Sequence, residues 1–229
     1  AALTDAQVVM GASNRRFLID RIREYLITGE RIVDIVPHEK GEAFEQMRAD
    51  RFTEKTRAFV KIEDGCDRYC SYCIIPKARG PIRSKSLEDL KAELETLVQN
   101  GYREIVLVGI NLSSYGKGTD VRLIDAVELA CSVDGVERVR LGSLEPELLL
   151  DEDIRRMALQ EKFCPQFHLS LQSGCDETLR RMNRHYDTAF YEELVQKLRS
   201  TFDDCSITTD IMVGFAGETE EEFQQSLAF

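Results

Sequence analysis

The chain has 229 residues, of which 43% are hydrophobic, so it can bury a sizeable core in one large domain or in one domain plus part of another. Asp and Glu number 41 against 30 Lys and Arg, and the net charge of -11 excludes a nucleic-acid interface spread over the whole surface, because phosphate contacts require cations. No stretch approaches the roughly 18 apolar residues of a membrane span, the N-terminus lacks the apolar core of a secretory signal, and the cysteine count is odd, so we expect a cytoplasmic protein without membrane contact.

The first predicted element is an amphipathic helix over residues 14–28. Phe17, Ile22 and Leu26 fall near one of its faces. Residues 31–57 are polar and charged, which predicts a linker that crosses a domain boundary. This part of the chain therefore stands apart from the regular pattern that follows.

From residue 58 onward, apolar strand-like segments alternate with amphipathic helical segments. The predicted strands are 58–62, 104–110, 136–143, 167–172 and 206–215. The predicted helices are 86–101, 122–132, 151–159, 188–202 and 218–229. Five strand–helix repeats with short connections predict an α/β fold with a parallel sheet, either doubly wound or curved into part of a barrel. In a barrel, the chemistry lies on the loops that follow the strands.

Three of the seven cysteines fall in the loop after the first predicted strand, within the segment GCDRYCSYC. Three residues separate Cys66 from Cys70, two separate Cys70 from Cys73, and no fourth cysteine follows nearby. Cysteine thiolates are the standard ligands of a [4Fe–4S] cluster. Three of them leave one iron open, and an open metal position is where a substrate or cofactor binds.

Two other uses of the cysteines remain open at this point. A structural zinc site needs four protein ligands, and the fourth would have to be His168, Cys164 or Cys175. A disulfide with a spare thiol is the second alternative, and it does not suit a reducing compartment. A zinc-stabilised binding module without catalysis is thus the main alternative to an enzyme.

The spacing Cys66-x3-Cys70-x2-Cys73, with the aromatic Tyr72 before the last cysteine, resembles the signature of radical S-adenosylmethionine (SAM) enzymes. The resemblance implies that the open iron binds SAM and that reduction of the cluster cleaves SAM to methionine and a 5′-deoxyadenosyl radical. It also implies a partial (β/α)6 radical SAM barrel with the cysteine loop after its first strand. That fold agrees with the strand–helix pattern.

Longer segments resemble one branch of that superfamily. KIEDGCDRYCSYCIIPKARGPIRSKS (61–86) and VLVGINLSSYG (106–116) resemble radical SAM methylthiotransferases. Residues 140–149, 167–186 and 207–223 are similar to the branch that modifies N6-threonylcarbamoyladenosine in tRNA. This implies methylthiolation of C2 of that adenosine, next to the anticodon. The segment RLGSLEP favours tRNA over the alternative substrate, a ribosomal protein.

The family architecture implies a division of this chain. Residues 1–50 resemble the helical tail of the N-terminal methylthiotransferase domain plus a linker, and residues 51–229 resemble the radical SAM core from strand 1 to strand 5, ending before strand 6. The family holds a second [4Fe–4S] cluster in its N-terminal domain, and no cysteine precedes Cys66 here. We therefore expect one cluster and SAM in this fragment, without complete methylthiolation. Expected partners are tRNA, bound mostly by a missing C-terminal domain, and an electron donor such as flavodoxin or ferredoxin.

Seven positions besides the cysteines are candidates for contact with SAM or substrate. They are Tyr72, Gly109, Glu145, Ser170, Gln172, Asp210 and Gly214. Tyr72 and Gly214 are expected against the adenine, and Gly109 where the backbone approaches the methionyl part of SAM. A packed loop aromatic and a simple strand-end turn are the alternatives for Tyr72 and Gly109.

The strand pattern supports four of these positions. Ser170 and Gln172 alternate along the fourth strand, so they share a face and point into the barrel if the intervening leucines face the helices. Asp210 interrupts the apolar fifth strand in the same way, and buried polar groups need partners or a ligand. Glu145 follows the third strand and is expected to bind the substrate or the ammonium group of SAM, or else to form an ion pair with Arg140 or a neighbour.

Two basic stretches interrupt the acidic background, KARGPIRSK (77–85) and RRMNRHY (180–186). We expect both to grip tRNA phosphates at the mouth of the active site, with Arg83 and Arg184 as the side chains to test. The alternative is ordinary solvated charge, which suits the helical spacing of the second stretch.

Overall fold

A computed structural model describes residues 5–39, 41–48, 50–52 and 56–229 of the chain. The N-terminal part folds as a strand, a helix and a strand: β1 (Val8–Met10), α1 (Leu18–Thr28) and β2 (Ile32–Asp34). The two strands pair in parallel. The N-terminal part is therefore a small βαβ unit that contains the predicted helix.

The helix predicted over residues 14–28 is confirmed, and a short 3-10 turn at Arg15–Phe17 precedes its α-helical part. The predicted linker over 31–57 is wrong in its first residues, because β2 lies there. Ile32 and Val33 are β-branched and pair with β1 despite their charged neighbours. The many charged residues of segment 31–57 predicted a linker and gave no indication of this short strand.

The rest of the described chain alternates strands with helices. The strands are β3 (Ala58–Lys61), β4 (Glu63–Asp64), β5 (Arg83–Ser84), β6 (Glu104–Val108), β7 (Arg138–Leu141), β8 (Ser143–Leu144), β9 (Gln166–Leu169) and β10 (Ser206–Thr208). The helices are α2 (Ile75–Arg79), α3 (Leu87–Gln99), α4 (Leu123–Ser132), α5 (Asp151–Ala158), α6 (Asp176–Arg181), α7 (Thr188–Thr201) and α8 (Glu220–Ala228). None of these described helices has the length and apolar character needed to cross a membrane.

The parallel strands form one arc in chain order. β3 pairs with β6 and β6 with β7, while β8 pairs with β9 and β9 with β10. β7 and β8 are one strand interrupted at Gly142, whose N–H still donates to the carbonyl oxygen of Leu107 (2.9 Å). Consecutive order is typical of a barrel, whereas a doubly wound sheet reverses its order part-way. The predicted α/β fold with a partial (β/α)6 barrel is confirmed.

The hydrophobic core lies between the arc and its helices. Val60, Ile105, Val139 and Phe167 on four successive strands are completely buried. α3 begins where Ser86 caps it, since the Ser86 hydroxyl accepts a hydrogen bond from the N–H of Asp89 (3.1 Å). The helices thus cover one face of the arc and leave the carboxyl ends of the strands to carry loops.

The last strand is shorter than predicted. The run over 206–215 predicted one long strand, but β10 has only three residues. The side chain of Thr209 accepts a hydrogen bond from the N–H of Leu171 (3.0 Å) and donates to the carbonyl oxygen of Leu169 (2.6 Å), in place of ladder bonds. The chain then makes one isolated bridge and continues as a loop.

Candidate functional site

The cysteine loop, which we define as residues 66–73, lies beyond the end of β3. It belongs to the segment that connects the two strands of a small hairpin. β4 and β5 pair antiparallel, with Asp64 opposite Arg83. Between them, Gly65 has φ +92° and an added Cβ there would collide with the carbonyl oxygen of Pro81, so only glycine fits. The N–H of Cys66 donates to the carbonyl oxygen of Gly80 (3.2 Å) and closes the base of the loop.

All three loop cysteines are free and partly accessible, and two of them have donors at sulfur. Nη1 of Arg184 lies 3.2 Å from Sγ of Cys70, and Nδ2 of Asn111 lies 3.8 Å from Sγ of Cys66. Burial raises the pKa of the Cys66 thiol. Thiol sulfurs with nearby hydrogen-bond donors are the ligand chemistry that an iron–sulfur cluster needs, so the residues present fit such a cluster.

Arg184 lies inside the site. Its side chain is only 3% exposed, and it donates to Glu145 (2.5 Å) and to the carbonyl oxygen of Ser170 (3.2 Å). It also donates to the hydroxyl oxygen of Tyr186 (3.0 Å). The expectation that Arg184 grips tRNA phosphates is therefore wrong, because its guanidinium is committed to internal partners.

The contact with Arg184 also identifies the ion-pair partner of Glu145. Arg140 pairs with Glu104 (2.7 Å), so Arg140 is not the partner of Glu145, and the ion pair that Glu145 does make is with Arg184 (2.5 Å). The Glu145 N–H is held by the Ser113 hydroxyl oxygen (2.9 Å). Glu145 is thus fixed beside Arg184 and close to the cysteine loop.

The other basic stretch is also largely internal. Arg83 is buried against Glu42 (3.1 Å) and Asp64 (3.6 Å). Lys85 is buried in an ion pair with Glu93. Both side chains are buried and paired with acids, so the predicted phosphate contact of Arg83 is wrong. Both cations instead hold the hairpin that carries the cysteine loop.

Gly109 lies at the end of β6, against a buried acid. A Cβ at Gly109 would come within 2.7 Å of Oε2 of Glu63, which explains why glycine occupies this position. Glu63 is fully buried and accepts a hydrogen bond from the N–H of Asn111 (2.6 Å). Burial raises the pKa of Glu63 to about 8. Sequence reasoning missed Glu63 and Asn111, although an acidic pair directly before the cysteine motif was a usable signal.

Ser170 and Gln172 lie just beyond the end of β9. Leu169 and Leu171 are buried and the two polar residues are half-buried, but Gln172 has φ +69°, so the chain is not extended there and the alternation does not fix the direction of its side chain. The N–H of Gln172 donates to the carbonyl oxygen of Asp210 (2.9 Å), which joins the ends of the fourth and fifth strands. These three candidates are therefore neighbours.

The Asp210 side chain is 77% exposed and lies 3.4 Å from Nε2 of His168. His168 shares the half-buried face of β9, and its Nδ1 lies 3.0 Å from the Thr208 hydroxyl. From the sequence, His168 is a candidate only for a zinc ligand, whereas the fold places it beside Asp210.

Tyr72 and the loop that contains Gly214 meet at the far side of the site. The Tyr72 ring packs edge-on against Phe215, with centroids 6.1 Å apart, and the residue stays 39% exposed. The N–H groups of Gly214 (2.5 Å) and Phe215 (3.2 Å) both donate to Glu218. The structure thus brings together two positions that lie far apart in the sequence.

Comparison with known proteins identifies the fold. Residues 60–229 match the Radical SAM superfamily. The chain belongs to the radical SAM superfamily. The solved radical SAM methyltransferase TsrM from Kitasatospora setae, with tryptophan substrate and a SAM analog bound, aligns over 75% of this chain and 33% of its own with a TM-score of 0.62 and 17% identity. TsrM has also been solved with cobalamin and a [4Fe–4S] cluster.

Two sequence relatives are named for the methylthio modification of tRNA or of an adenosine in tRNA. A threonylcarbamoyladenosine tRNA methylthiotransferase MtaB of Thermotoga maritima is 40% identical over 221 residues, which is 96% of this chain and 50% of that protein. A tRNA-2-methylthio-N(6)-dimethylallyladenosine synthase of Clostridium perfringens is also 40% identical, over 96% of this chain and 49% of that protein. The radical SAM chain described here therefore spans about half the length of these relatives, and its resemblance to methylthiotransferases is confirmed.

Radical SAM enzymes use a [4Fe–4S] cluster and SAM as cofactors. Within the described ranges, no set of three or more His, Cys, Asp or Glu side chains is arranged around a single metal ion. In a cluster each thiolate binds a different iron, so the three cysteines need not converge on one point.

Proposed function

We propose that this chain is the SAM-cleaving core of a tRNA methylthiotransferase that acts at C2 of N6-threonylcarbamoyladenosine, next to the anticodon. The observation that carries the proposal is the cysteine loop beyond the first barrel strand, with Arg184 donating to Cys70 (3.2 Å). A radical is suited to this reaction because C2 of an adenine carries an aromatic C–H that acid–base chemistry does not activate.

In this proposal Cys66, Cys70 and Cys73 hold the [4Fe–4S] cluster. When bound, the cluster supplies the electron that cleaves SAM to methionine and a 5′-deoxyadenosyl radical, and it receives that electron from a donor such as flavodoxin or ferredoxin. Arg184 supplies a cationic hydrogen-bond donor at one ligand sulfur. Because the Arg184 side chain is 3% exposed, water does not compete for that contact.

The remaining candidates divide between two ends of SAM. Tyr72 and Gly214 contact the adenine, and their loops already meet through Phe215. Gly109 lets the backbone approach the methionyl end. Glu145 binds the ammonium group or the substrate from a position that Arg184 fixes (2.5 Å).

Ser170, Gln172 and Asp210 contact the ribose of SAM or the substrate. The two strand ends that carry them are joined by the Gln172–Asp210 backbone hydrogen bond (2.9 Å). Ser170 and Gln172 are half-buried, and Asp210 is exposed, so their polar side chains remain accessible to a ligand.

The first experiment tests the cofactor. We expect anaerobically purified and reconstituted protein to contain iron and sulfide and to release 5′-deoxyadenosine from SAM on reduction. Cys70→Ser is expected to lose both properties, whereas Cys164→Ser, at a half-buried cysteine outside the loop, is expected to keep them. A colourless wild-type protein that contains zinc instead of iron would overturn the proposal in favour of a structural zinc module.

The second experiment tests the tRNA base. N6-dimethylallyladenosine is a second candidate substrate, because the Clostridium perfringens relative is as similar to this chain as the Thermotoga maritima one. The protein that contains this chain would be expressed in cells lacking their own tRNA methylthiotransferases, and tRNA nucleosides measured by mass spectrometry. We expect the methylthio product of N6-threonylcarbamoyladenosine. The methylthio product of dimethylallyladenosine alone would replace the proposed substrate with the second one.

A further inference from the structure

The segment that follows α6 contacts the cysteine loop along its length. The N–H of Ser71 donates to the carbonyl oxygen of Met182 (3.0 Å), and the Ser71 hydroxyl donates to the carbonyl oxygen of Arg181 (2.9 Å). These bonds satisfy two carbonyl groups at the C-terminal end of the helix. The loop and the end of α6 therefore form one hydrogen-bonded unit, although more than 100 residues separate them.

Asn183 makes the most specific contacts in this unit. Its Nδ2 donates to the carbonyl oxygens of Arg68 (3.2 Å) and Tyr69 (3.0 Å), so one amide group binds two consecutive peptide units of the loop. Asn183 itself has φ +58°, a left-handed conformation that asparagine tolerates better than most residues. That conformation turns the chain out of the direction of α6 and brings the next residue, Arg184, to the sulfur of Cys70.

The loop is strained where Asn183 holds it. Tyr69 has φ +52°, which is unusual for a bulky residue, and the residue is 62% exposed. Such a conformation persists only when surrounding contacts impose it. The two hydrogen bonds from Asn183 are contacts of this kind, and they act on the peptide units directly before Cys70.

We propose that Asn183 is a positioning residue of the cluster site: its side-chain amide holds the Arg68–Tyr69 peptides so that Cys70 is presented as a ligand before the cluster arrives. The inference rests on the proposed function, because it assigns the cysteine loop to a cluster. Asn183 fixes the loop, and Arg184 beside it contacts the ligand sulfur.

Three variants separate the hydrogen bonds from the backbone conformation. Asn183→Gly keeps the left-handed backbone without strain but removes both hydrogen bonds. Asn183→Ala removes the hydrogen bonds and also disfavours that backbone. Asn183→Asp keeps the size of the side chain but replaces the amide donor with a carboxylate. Asn100→Ala is the matched control, since it removes a similar bond, from Nδ2 to the carbonyl oxygen of Asp50 (3.0 Å), outside the cysteine loop.

The readouts are iron content after reconstitution, the electron paramagnetic resonance spectrum and midpoint potential of the reduced cluster, and amide exchange of residues 66–73 in cluster-free protein. We expect all three Asn183 variants to lose roughly ten-fold or more in cluster affinity. We also expect an altered spectrum and faster exchange at Ser71. The Asn100→Ala control is expected to match wild type in each measurement.

Two results would overturn the inference alone. One is wild-type iron content, spectrum and exchange in Asn183→Gly and Asn183→Asp. The other is a loss confined to Asn183→Ala, which would assign the effect to backbone conformation. A wild-type chain that takes up no cluster would instead overturn the proposed function, and the inference with it.

Discussion

At the scale of single residues, Arg184 shows why a charge pattern alone misleads. Its neighbours Arg180 and Arg181 lie on α6, and the spacing suggested one solvated helical face. The helix ends at Arg181, and Asn183 turns the chain, so Arg184 points inward and pairs with Glu145 (2.5 Å). The positive φ of an asparagine, which decides this direction, is not visible as a pattern of charges.

We expect Arg184→Gln to weaken the cluster site. The variant loses the cation at Cys70 and leaves Glu145 without its partner, so iron affinity should fall roughly 10- to 100-fold and the midpoint potential should become more negative. Iron analysis and redox titration would measure both. The control is Arg180→Gln, whose side chain is 72% exposed and pairs with its helix neighbour Glu177. Equal behaviour of the two variants would remove Arg184 from the site.

Glu63 predicts a pH dependence of stability with a definite sign. Burial raises its pKa from 4.5 to about 8 in the folded chain. Between those values the unfolded chain releases the proton and the folded chain keeps it, so this group lowers the free energy of unfolding by about 1.4 kcal/mol for each pH unit of rise. Below about pH 4.5 Glu63 is protonated in both the folded and the unfolded chain, and its contribution to the free energy of unfolding is fully present.

Glu63→Gln cannot ionise, so its stability relative to wild type should increase as pH rises from about 5 to about 8. Urea unfolding at the two pH values would measure the difference. Glu24→Gln, at a side chain that is 48% exposed, is the control and should run parallel to wild type. A Glu63→Gln curve parallel to wild type would show that Glu63 ionises normally in the folded chain.

At the scale of elements, the buried pair of Lys85 and Glu93 joins the cysteine hairpin to α3. Both side chains are almost fully buried, and the Tyr115 hydroxyl also donates to the carbonyl oxygen of Lys85 (2.6 Å). Removing one partner of a buried ion pair leaves the other charge without compensation, whereas replacing both with apolar groups is often neutral. We therefore expect the net contribution of the intact pair to stability to be small and the destabilisation on removing one partner to be large.

We expect Lys85→Met to lower the free energy of unfolding by about 3–5 kcal/mol. The double variant Lys85→Met/Glu93→Leu should recover most of that loss, and urea unfolding of both would measure it. Lys91→Met, on the exposed face of α3 at 59% exposure, should change stability by less than about 0.5 kcal/mol. A double variant that is less stable than Lys85→Met would show that the charges stabilise the junction.

The elements themselves were largely predictable from periodicity. Strong signals, such as the alternation along β9 and the Ser86 cap of α3, agree with the structure because burial and capping act locally. The end of β10 was not predictable, since it depends on Thr209 replacing ladder bonds to a strand 38–40 residues away. In the site, the cysteines follow from spacing, but the partners of Arg184 and Glu63 come from distant segments and required the fold.

At the scale of the whole molecule, Asp64 ties the N-terminal βαβ unit to the cysteine hairpin. Its carboxylate pairs with Arg15 of that unit (3.1 Å), with Arg83 of the hairpin (3.6 Å) and with Lys61. Burial opposes ionisation, but the hydrogen bond from Lys61 and the surrounding cations hold the pKa of Asp64 below its usual value. One buried carboxylate thus serves cations from two parts of the chain.

We expect Asp64→Asn to destabilise this junction by about 3–5 kcal/mol near neutral pH, because the cations lose their shared anion. The difference from wild type should shrink as pH falls below 3.8, where the Asp64 carboxylate of the unfolded chain is protonated and that of the folded chain follows. Thermal unfolding and proteolysis within residues 30–52 would measure it. Asp20→Asn, at 65% exposure, should match wild type, and an Asp64→Asn variant that also matches it would assign no stabilising role to the junction.

The chain-order arrangement of the parallel strands has a consequence for folding. β3 pairs with β6, β6 with β7, β8 with β9 and β9 with β10, so each strand of the arc pairs with the strand that is next to it in chain order within the arc. Each parallel pairing spans a crossover, so the paired residues lie between 25 positions apart (Ser143 and His168) and 47 positions apart (Ala58 and Ile105). Each pairing therefore closes a loop much shorter than the whole arc. An arc of this kind can be extended by one strand–helix unit at a time during translation. The cysteine loop would then be in place early, but its clamp, at residues 181–184, would close only after four strands of the arc exist.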